Sequence, residues 1–407
     1  MNILLLSTHF NTGGISSYLV TLSRGLVKKG HRVWIATSGG NLVESLNASP
    51  QGCHCERNEV ERSNLLDSKE IASSQKALLV MTQKIEHITL NIRTKSELDF
   101  RIYFALLPLN KIIQKNKIDV IHAQTRITQV MAACLNKLTG KPFVSTCHGF
   151  FKTRWSRRIF PCWGERVIAI SEAVSEHLQK DFKVDPKQIA LIKNGIDLED
   201  FPEVSAEAKE MNRRAFGLED EPTIGIIARL SSVKGHDVLI EAMKNVVAKF
   251  PRAKLLVVGE GSLEQELKRL VENFNLAANV SFYPVVNQSA QMLSLFDVFV
   301  MPSRQEGLGL SVMEAQAAGL PVVASKVGGL PSLIEDGRTG LFVPPDNANL
   351  LAEAILLLLR NKDKAKEMGV RARDFIQKEF SAERMVEETI EVYKAVIKHE
   401  KEPTNHS

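Results

Sequence analysis

The run Glu306-Gly307-Leu308-Gly309-Leu310-Ser311-Val312-Met313-Glu314 sets two carboxylates at the ends of a glycine-bearing loop that leads into a helical pattern. Backbone N–H groups at a helix start attract an anion, and glycines let it come close. A carboxylate can accept two hydrogen bonds from a vicinal diol, the edge that a ribose or a hexose offers. A second run, Ala228-Arg229-Leu230-Ser231-Ser232-Val233-Lys234-Gly235, places two cations around one loop. Fixed cations stabilise a departing diphosphate more as its charge grows than in the ground state. Taken singly, the first run is also a capped helix start with surface acids, and the second a solvated loop. Together they favour the binding reading.

Further candidates lie in the first half. Thr12-Gly13-Gly14 follows an apolar run and opens a helical pattern, which would aim N–H groups at an anion. A plain strand-to-helix turn has the same appearance, and the glycines do not make the dinucleotide-binding G-x-G-x-x-G. His122 closes Asp119-Val120-Ile121-His122, and His148 stands in Thr146-Cys147-His148-Gly149. An imidazole at a strand end can donate to a hydroxyl or phosphate, act as a base, or simply be structural.

Such residues need a scaffold. Short apolar runs alternate with loops and amphipathic helical patterns along the chain, which predicts doubly wound α/β architecture. The runs are apolar throughout, as in parallel strands covered on both faces. Strands are predicted near Asn2–Leu6, Arg32–Thr37, Ile85–Leu90, Ile118–His122, Pro142–Thr146 and Arg166–Ile170, then Thr223–Ala228, Ala253–Val258, Val280–Tyr283, Asp297–Met301, Pro321–Ala324 and Gly340–Val343. Ligands bind beyond the carboxyl ends of such strands, where the candidate residues fall. Asn194 to Pro222, including the charged run Glu203–Arg214, reads as a linker. This predicts a first domain over 1–190, a second over 191–380, a helix over 381–398 returning to the first, and a disordered tail over 399–407. Residues 50–84, with Cys53-His54-Cys55, read as a disordered insertion, with a pair of surface helices as the other reading.

A length of 407 residues suits two domains, and 44% hydrophobic with 24% charged residues is ordinary globular composition. The net charge of +5 is too small to predict a nucleic-acid partner. No apolar run reaches the roughly 18–20 residues that span a bilayer, and no signal peptide is read. The five cysteines lack paired C-x-x-C spacing, so neither zinc nor a disulfide framework is predicted. The expectation is a reduced, cytoplasmic protein.

The combined motifs resemble glycosyltransferase family 4, the group 1 glycosyltransferases of GT-B fold. They are Glu306–Glu314 with Met301-Pro302-Ser303 before it and Ala317-Ala318-Gly319-Leu320-Pro321 after it, Gly225 to Gly235, Leu256-Val257-Val258-Gly259-Glu260-Gly261, Asn194-Gly195-Ile196-Asp197, and Gly328-Gly329 before Glu335-Asp336-Gly337. The likeness is strong over residues 190–360 and weaker over 1–190. It implies two Rossmann-like domains facing across a cleft, and a retaining transfer from a nucleoside-diphosphate sugar without a metal or other cofactor. By that resemblance Arg229 and Lys234 hold the diphosphate, Glu306 meets the donor hexose, and Glu314 accepts the ribose hydroxyls. Gly307, Gly309, Leu310 and Ser311 belong to the phosphate-side loop, with the backbone of Gly309 and Leu310 completing the cradle. Gly13 and Gly14 close it from the other domain. Val285 and Val286 border the base, and His148 lies beside the sugar. His148, Glu306, Arg229 and Lys234 are thus the catalytic candidates. Where many members carry an aromatic residue after Glu-Gly this chain has Leu308, which is expected to reshape the sugar pocket.

The first domain should hold a glycan or lipid-linked acceptor, with His122, Arg93 and Lys95 as candidates. Phe150 to Trp163 mixes four cations with five aromatic residues. Such a segment suits an anionic membrane surface, at the inner face of the plasma membrane, during envelope polysaccharide or lipopolysaccharide assembly. A solvated surface has the same composition. Competing readings are a GT-B phosphorylase or sugar-nucleotide epimerase, a non-catalytic nucleotide-sugar-binding scaffold, and an NAD-type oxidoreductase, the last lacking its glycine fingerprint.

Overall fold

The computed structural model describes residues 1–43, 46, 85–92, 94, 96, 97, 99–153, 155–285 and 289–401. The expectations for residues 50–84, Arg93, Lys95 and Val286 therefore lie outside the described residues. Among the described residues, the first half forms a parallel sheet of β1 (Asn2–Leu6), β2 (Arg32–Thr37), β3 (Glu86–Thr89), β4 (Val120–Ala123), β5 (Phe143–Cys147), β6 (Arg166–Ala169) and β7 (Ile189–Leu191). Their order is β3-β2-β1-β4-β5-β6-β7. Helices α1 (Gly14–Lys28), α2 (Phe100–Lys115), α3 (Arg126–Thr139), α4 (Trp155–Ile159) and α5 (Glu172–Phe182) belong to this half.

The second sheet holds β8 (Thr223–Ile227), β9 (Lys254–Val258), β10 (Val280–Tyr283), β11 (Val298–Met301), β12 (Val322–Ser325) and β13 (Leu341–Val343), in the order β10-β9-β8-β11-β12-β13. Around it lie α6 (Ala206–Ala215), α7 (His236–Lys249), α8 (Glu264–Asn273), α9 (Ser289–Leu293), α10 (Leu310–Ala317), α11 (Ala348–Arg360) and α12 (Lys362–Glu379). The chain reverses its winding direction between β1 and β4, and again between β8 and β11. These are the points where an open α/β sheet leaves a crevice.

Burial follows from the strand sequences. Ile3, Leu4, Leu5 and Leu6 are all fully buried because both faces of β1 are covered. Ile3 and Leu5 belong to one layer, and Leu4 and Leu6 to the other. The first of these layers is closed by α13 (Ala382–Lys401), the last helix, whose Val386, Ile390 and Tyr393 pack with Leu19, Leu22 and Leu26 of α1. The helix continues past 398, to Lys401.

The supposed linker needs correction. Residues 206–215 form α6, and Arg213 fastens that helix to the second sheet by donating to the carbonyls of Leu295, Glu219 and Glu221. Lys209 adds an ion pair with Asp297 at 3.2 Å. The actual crossings are narrower. Ile196 N donates to Phe380 O and Ala382 N to Ile196 O, so the outgoing and returning strands bond to one another. Gly195 is required there, since a Cβ would lie 2.5 Å from Ser381 O and 2.6 Å from Ala382 Cα.

His122 also departs from expectation. It is fully buried, with Nδ1 2.6 Å from the Tyr393 hydroxyl and Nε2 2.7 Å from Thr146 Oγ1. Both ring nitrogens are occupied and no acceptor can reach them. Burial pulls its pKa down to about 3, so the ring is neutral. Its role is to tie α13 to β4 and β5. Tyr393→Phe is expected to leave one buried nitrogen without a partner and lower stability by about 1–3 kcal/mol. Urea unfolding would show a lower midpoint with nucleotide binding unchanged; an unaltered midpoint would mean the bond contributes nothing.

Candidate active site

The loop after β8 carries Arg229 and Lys234, and the loop after β11 carries Glu306. Lys234 Nζ donates to Glu306 Oε2, with the two side chains only 20% and 12% exposed. Ser303 Oγ adds a longer bond to the same oxygen at 3.4 Å. Arg229 stands exposed and makes no ion pair among the described residues. The two loops are held in register by Arg304, which binds Asp237, Asp346 and the carbonyl of Ser232.

Glu306 leads into α10, whose N-cap is Gly309 and which no side chain caps. Val312 N and Met313 N donate to Gly309 O, which leaves the N–H groups of Leu310 and Ser311 at the helix start to meet an anion. The Glu306 backbone is clamped from behind, where Gly329 N donates to Glu306 O at 3.0 Å. Any Cβ on Gly328 would overlap that carbonyl. Glu314 lies one turn into α10. Burial raises its pKa to about 7, partly offset by the Ser289 hydroxyl and reinforced by the charge of Asp200. Leu308 is 2% exposed and packs with Val312 and Leu330 in the core. It stands in the core beneath the loop rather than on its open side.

The second half touches the first at this loop. Ser171 Oγ donates to Gly307 O at 2.7 Å while accepting from Val174 N, so one side chain caps α5 and crosses between the halves. A Cβ on Gly307 would lie 2.7 Å from His148 O. His148 is thereby brought against the Glu306 loop. Its Nε2 lies 2.8 Å from Gln124 Oε1, and Tyr18 meets its ring edge-on at 4.9 Å. Burial lowers its pKa to about 3. It is neutral at physiological pH, and with Gln124 Oε1 accepting, Nδ1 keeps a free lone pair. Gly13 and Gly14 begin α1, which also lacks a side-chain cap, and a Cβ on Gly14 would meet open space. Val285 stands beyond the end of β10, 37% exposed.

Beside this site lies a cavity of about 520 Å³ lined by Phe150, Phe151, Lys152, His177, Lys180 and Gln305 among others. Gln305 precedes Glu306, so the cavity borders both halves. His177 accepts from Phe151 N at 2.9 Å and pairs with Asp181 at 2.6 Å. Reading the sequence singled out Phe150, Phe151 and Lys152 but missed His177, Lys180, Gln305 and Ser171, because no local pattern marks a residue that acts across a domain boundary. The Phe150–Trp163 segment is split by the fold. Arg157 and Trp163 are buried, with the guanidinium 4.1 Å from the Phe151 ring centre and 5.3 Å from that of Trp163. Trp155, Ile159 and Phe160 remain exposed. No cluster of three metal-ligating side chains occurs among the described residues.

Two doubly wound parallel sheets, meeting where one uncapped helix and a cation-bearing loop adjoin a histidine of the opposite half, define the GT-B class of glycosyltransferases. The chain belongs to glycosyltransferase family 4. The group 1 glycosyl transferase model matches residues 208–375, and the family 4 model matches residues 12–200. An uncharacterized glycosyltransferase of Methanocaldococcus jannaschii is 26% identical, with 95% of each chain aligned. A UDP-Gal:alpha-D-GlcNAc-diphosphoundecaprenol alpha-1,3-galactosyltransferase of Escherichia coli is 28% identical over 63% of this chain and 70% of its own. Among solved structures, the Anabaena protein HepE, determined with UDP-glucose, superposes with a TM-score of 0.77 at 19% identity, covering 97% of this chain and all of the other. The protein is thus an enzyme of the hexosyltransferase type.

Proposed function

We propose that the enzyme moves a sugar from a nucleoside-diphosphate sugar to a glycan or lipid-linked acceptor with retention of anomeric configuration, in the assembly of a cell-envelope polysaccharide or lipopolysaccharide. The carrying observation is the Lys234–Glu306 pair beside Arg229 and the uncapped start of α10. In this reading the diphosphate lies on Arg229, Lys234 and the N–H groups of Gly309 and Leu310, with the start of α1 at Gly13 and Gly14 opposite. Ser311 follows on the same helix turn. Glu306 turns to a donor-sugar hydroxyl, Glu314 accepts from the ribose, and Val285 borders the base.

The bond between the anomeric carbon and the phosphate oxygen breaks, and its electron pair leaves with the diphosphate. An acceptor hydroxyl attacks the same face, and its proton passes to the departing phosphate oxygen. Neither glutamate forms a covalent bond, and His148 positions the sugar while neutral. No step uses a metal. The acceptor enters beside Phe150, Lys152 and Lys180, where two cations suit an anionic, lipid-linked substrate. The E. coli relative, whose name specifies a diphosphoundecaprenol-linked acceptor, supports that class. The enzyme then works in the cytoplasm, at the inner face of the plasma membrane.

Calorimetry against UDP, GDP and ADP, with their common sugars, tests the donor site. One nucleotide is expected to bind, with Glu314→Ala and Arg229→Ala each weakening it by tenfold or more. If the folded protein binds none of them, the reading is lost.

A further inference from the structure

Fifteen large apolar side chains stand exposed among the described residues, and seven come from two short stretches. Phe100, Tyr103, Phe104 and Leu107 lie on α2, and Trp155, Ile159 and Phe160 on or beside α4. Phe100, Phe104, Trp155 and Phe160 are 64–79% exposed. The α2 residues follow the i, i+3, i+4, i+7 spacing of one helix stripe. The opposite stripe, Ile102, Leu106, Leu109 and Ile113, is spent on the domain core. The helix is therefore apolar on two sides, one of which the fold leaves open.

The two stretches adjoin. Glu97, just before α2, receives Arg126 Nη2 at 2.8 Å and Ser156 Oγ at 3.4 Å, and Arg126 Nη1 reaches Pro161 O at 2.9 Å. Charge completes the picture. No acid occurs from Phe100 to Lys117 or from Trp155 to Gly164. The α2 stripe continues into exposed Lys111 and Lys115, and Arg158 is exposed beside Phe160. These three cations make no ion pair among the described residues.

We propose that this face seats the enzyme on an anionic lipid bilayer. The four aromatic residues enter the acyl boundary, and Lys111, Lys115 and Arg158 meet headgroup phosphates. Apolar side chains rimmed by unpaired cations, with acids excluded, match that interface. A second copy fits less well, since two such faces would oppose like charges. No described helix is long and apolar enough to cross a membrane, so the contact is to one leaflet. The face extends beyond the segment that composition singled out: α2 supplies most of it, while Arg157 and Trp163 drop out. Helix α2 begins on the side where β3 ends and α4 follows β5, the same sheet edge that carries His148. A lipid-linked acceptor would thus emerge beside the cleft, a consequence that rests on the proposed acceptor class; the seat itself does not.

Fluorescence supplies a direct readout. Trp34 and Trp163 are each 4% exposed, whereas Trp155 is 79% exposed. Full-length protein is mixed at physiological salt with phosphatidylcholine vesicles, or with vesicles containing about one-third phosphatidylglycerol. The expected result is sedimentation with the anionic vesicles and a blue shift of emission, the shift being absent in Trp155→Phe. Phe100→Ser/Phe104→Ser is expected to reduce partitioning tenfold or more. Lys111→Glu/Lys115→Glu is expected to erase the preference for anionic vesicles. Unchanged circular dichroism and nucleotide binding verify that these surface variants fold. The proposal is overturned if the wild type stays in the supernatant, if binding ignores the Phe100/Phe104 change, or if the face instead forms a dimer that Phe104→Ser dissolves. Loss of nucleotide binding in every form, with sedimentation intact, would reject the proposed donor site and leave the seat standing.

Discussion

Lys234→Ala is expected to lower kcat/KM by roughly 10²–10³, about 3–4 kcal/mol of transition-state stabilisation. Two effects add. The departing diphosphate loses a fixed cation, and Glu306 loses its partner in a site where its side chain is only 12% exposed. An unneutralised carboxylate then faces the developing negative charge. For that reason Glu306→Gln should partly rescue the alanine variant. The double mutant is expected to be no worse than Lys234→Ala alone, as for residues that act as a unit. Full additivity in that cycle would show that the pair acts independently. A rise in KM with kcat unchanged would mean Lys234 contributes only uniform binding.

Donor affinity is expected to rise with pH through about 7 and to lose that dependence in Glu314→Gln. Burial raises the Glu314 carboxyl to about 7 in the free protein, so it is largely protonated below that pH. Ribose hydroxyls that donate to it favour the carboxylate, so binding should release a proton. Calorimetry in two buffers of different ionisation enthalpy would count that proton. The sign for stability is opposite to that of a paired acid. The folded state holds the proton that the unfolded chain loses near 4.5, so this contribution is complete below 4.5 and disappears as pH rises through 7. Its magnitude is up to roughly 3 kcal/mol. Proton release independent of residue 314 would place the titrating group elsewhere.

Both sheets were legible because their strands are continuous apolar runs buried on two sides. β7 was not: Ile189–Leu191 is a three-residue edge strand, half exposed and flanked by charge, with no periodicity to detect. α6 reads as a polar linker because its one buried side chain is an arginine. The Glu306–Glu314 run and the Arg229–Lys234 loop were legible because their chemistry is local in sequence. His122 illustrates the limit. Its strand parity matches Val120, which faces the layer containing Tyr393, but nothing local says that a helix 271 residues later fills that layer. That Leu308 is buried was not legible either, because loop position, unlike helix or strand position, carries no rule for side-chain direction.

The return of α13 also sets a timetable for synthesis. The first sheet is complete in sequence at Leu191, yet Val386, Ile390 and Tyr393, which pack with Leu19, Leu22 and Leu26, come nearly 200 residues later in the chain. A ribosome adding about 5–20 residues per second takes on the order of 10–40 s to travel from β7 to the end of α13. During that interval the nascent first half carries an uncovered apolar face on α1, a natural target for a chaperone. The half that is made first is therefore the half that is finished last.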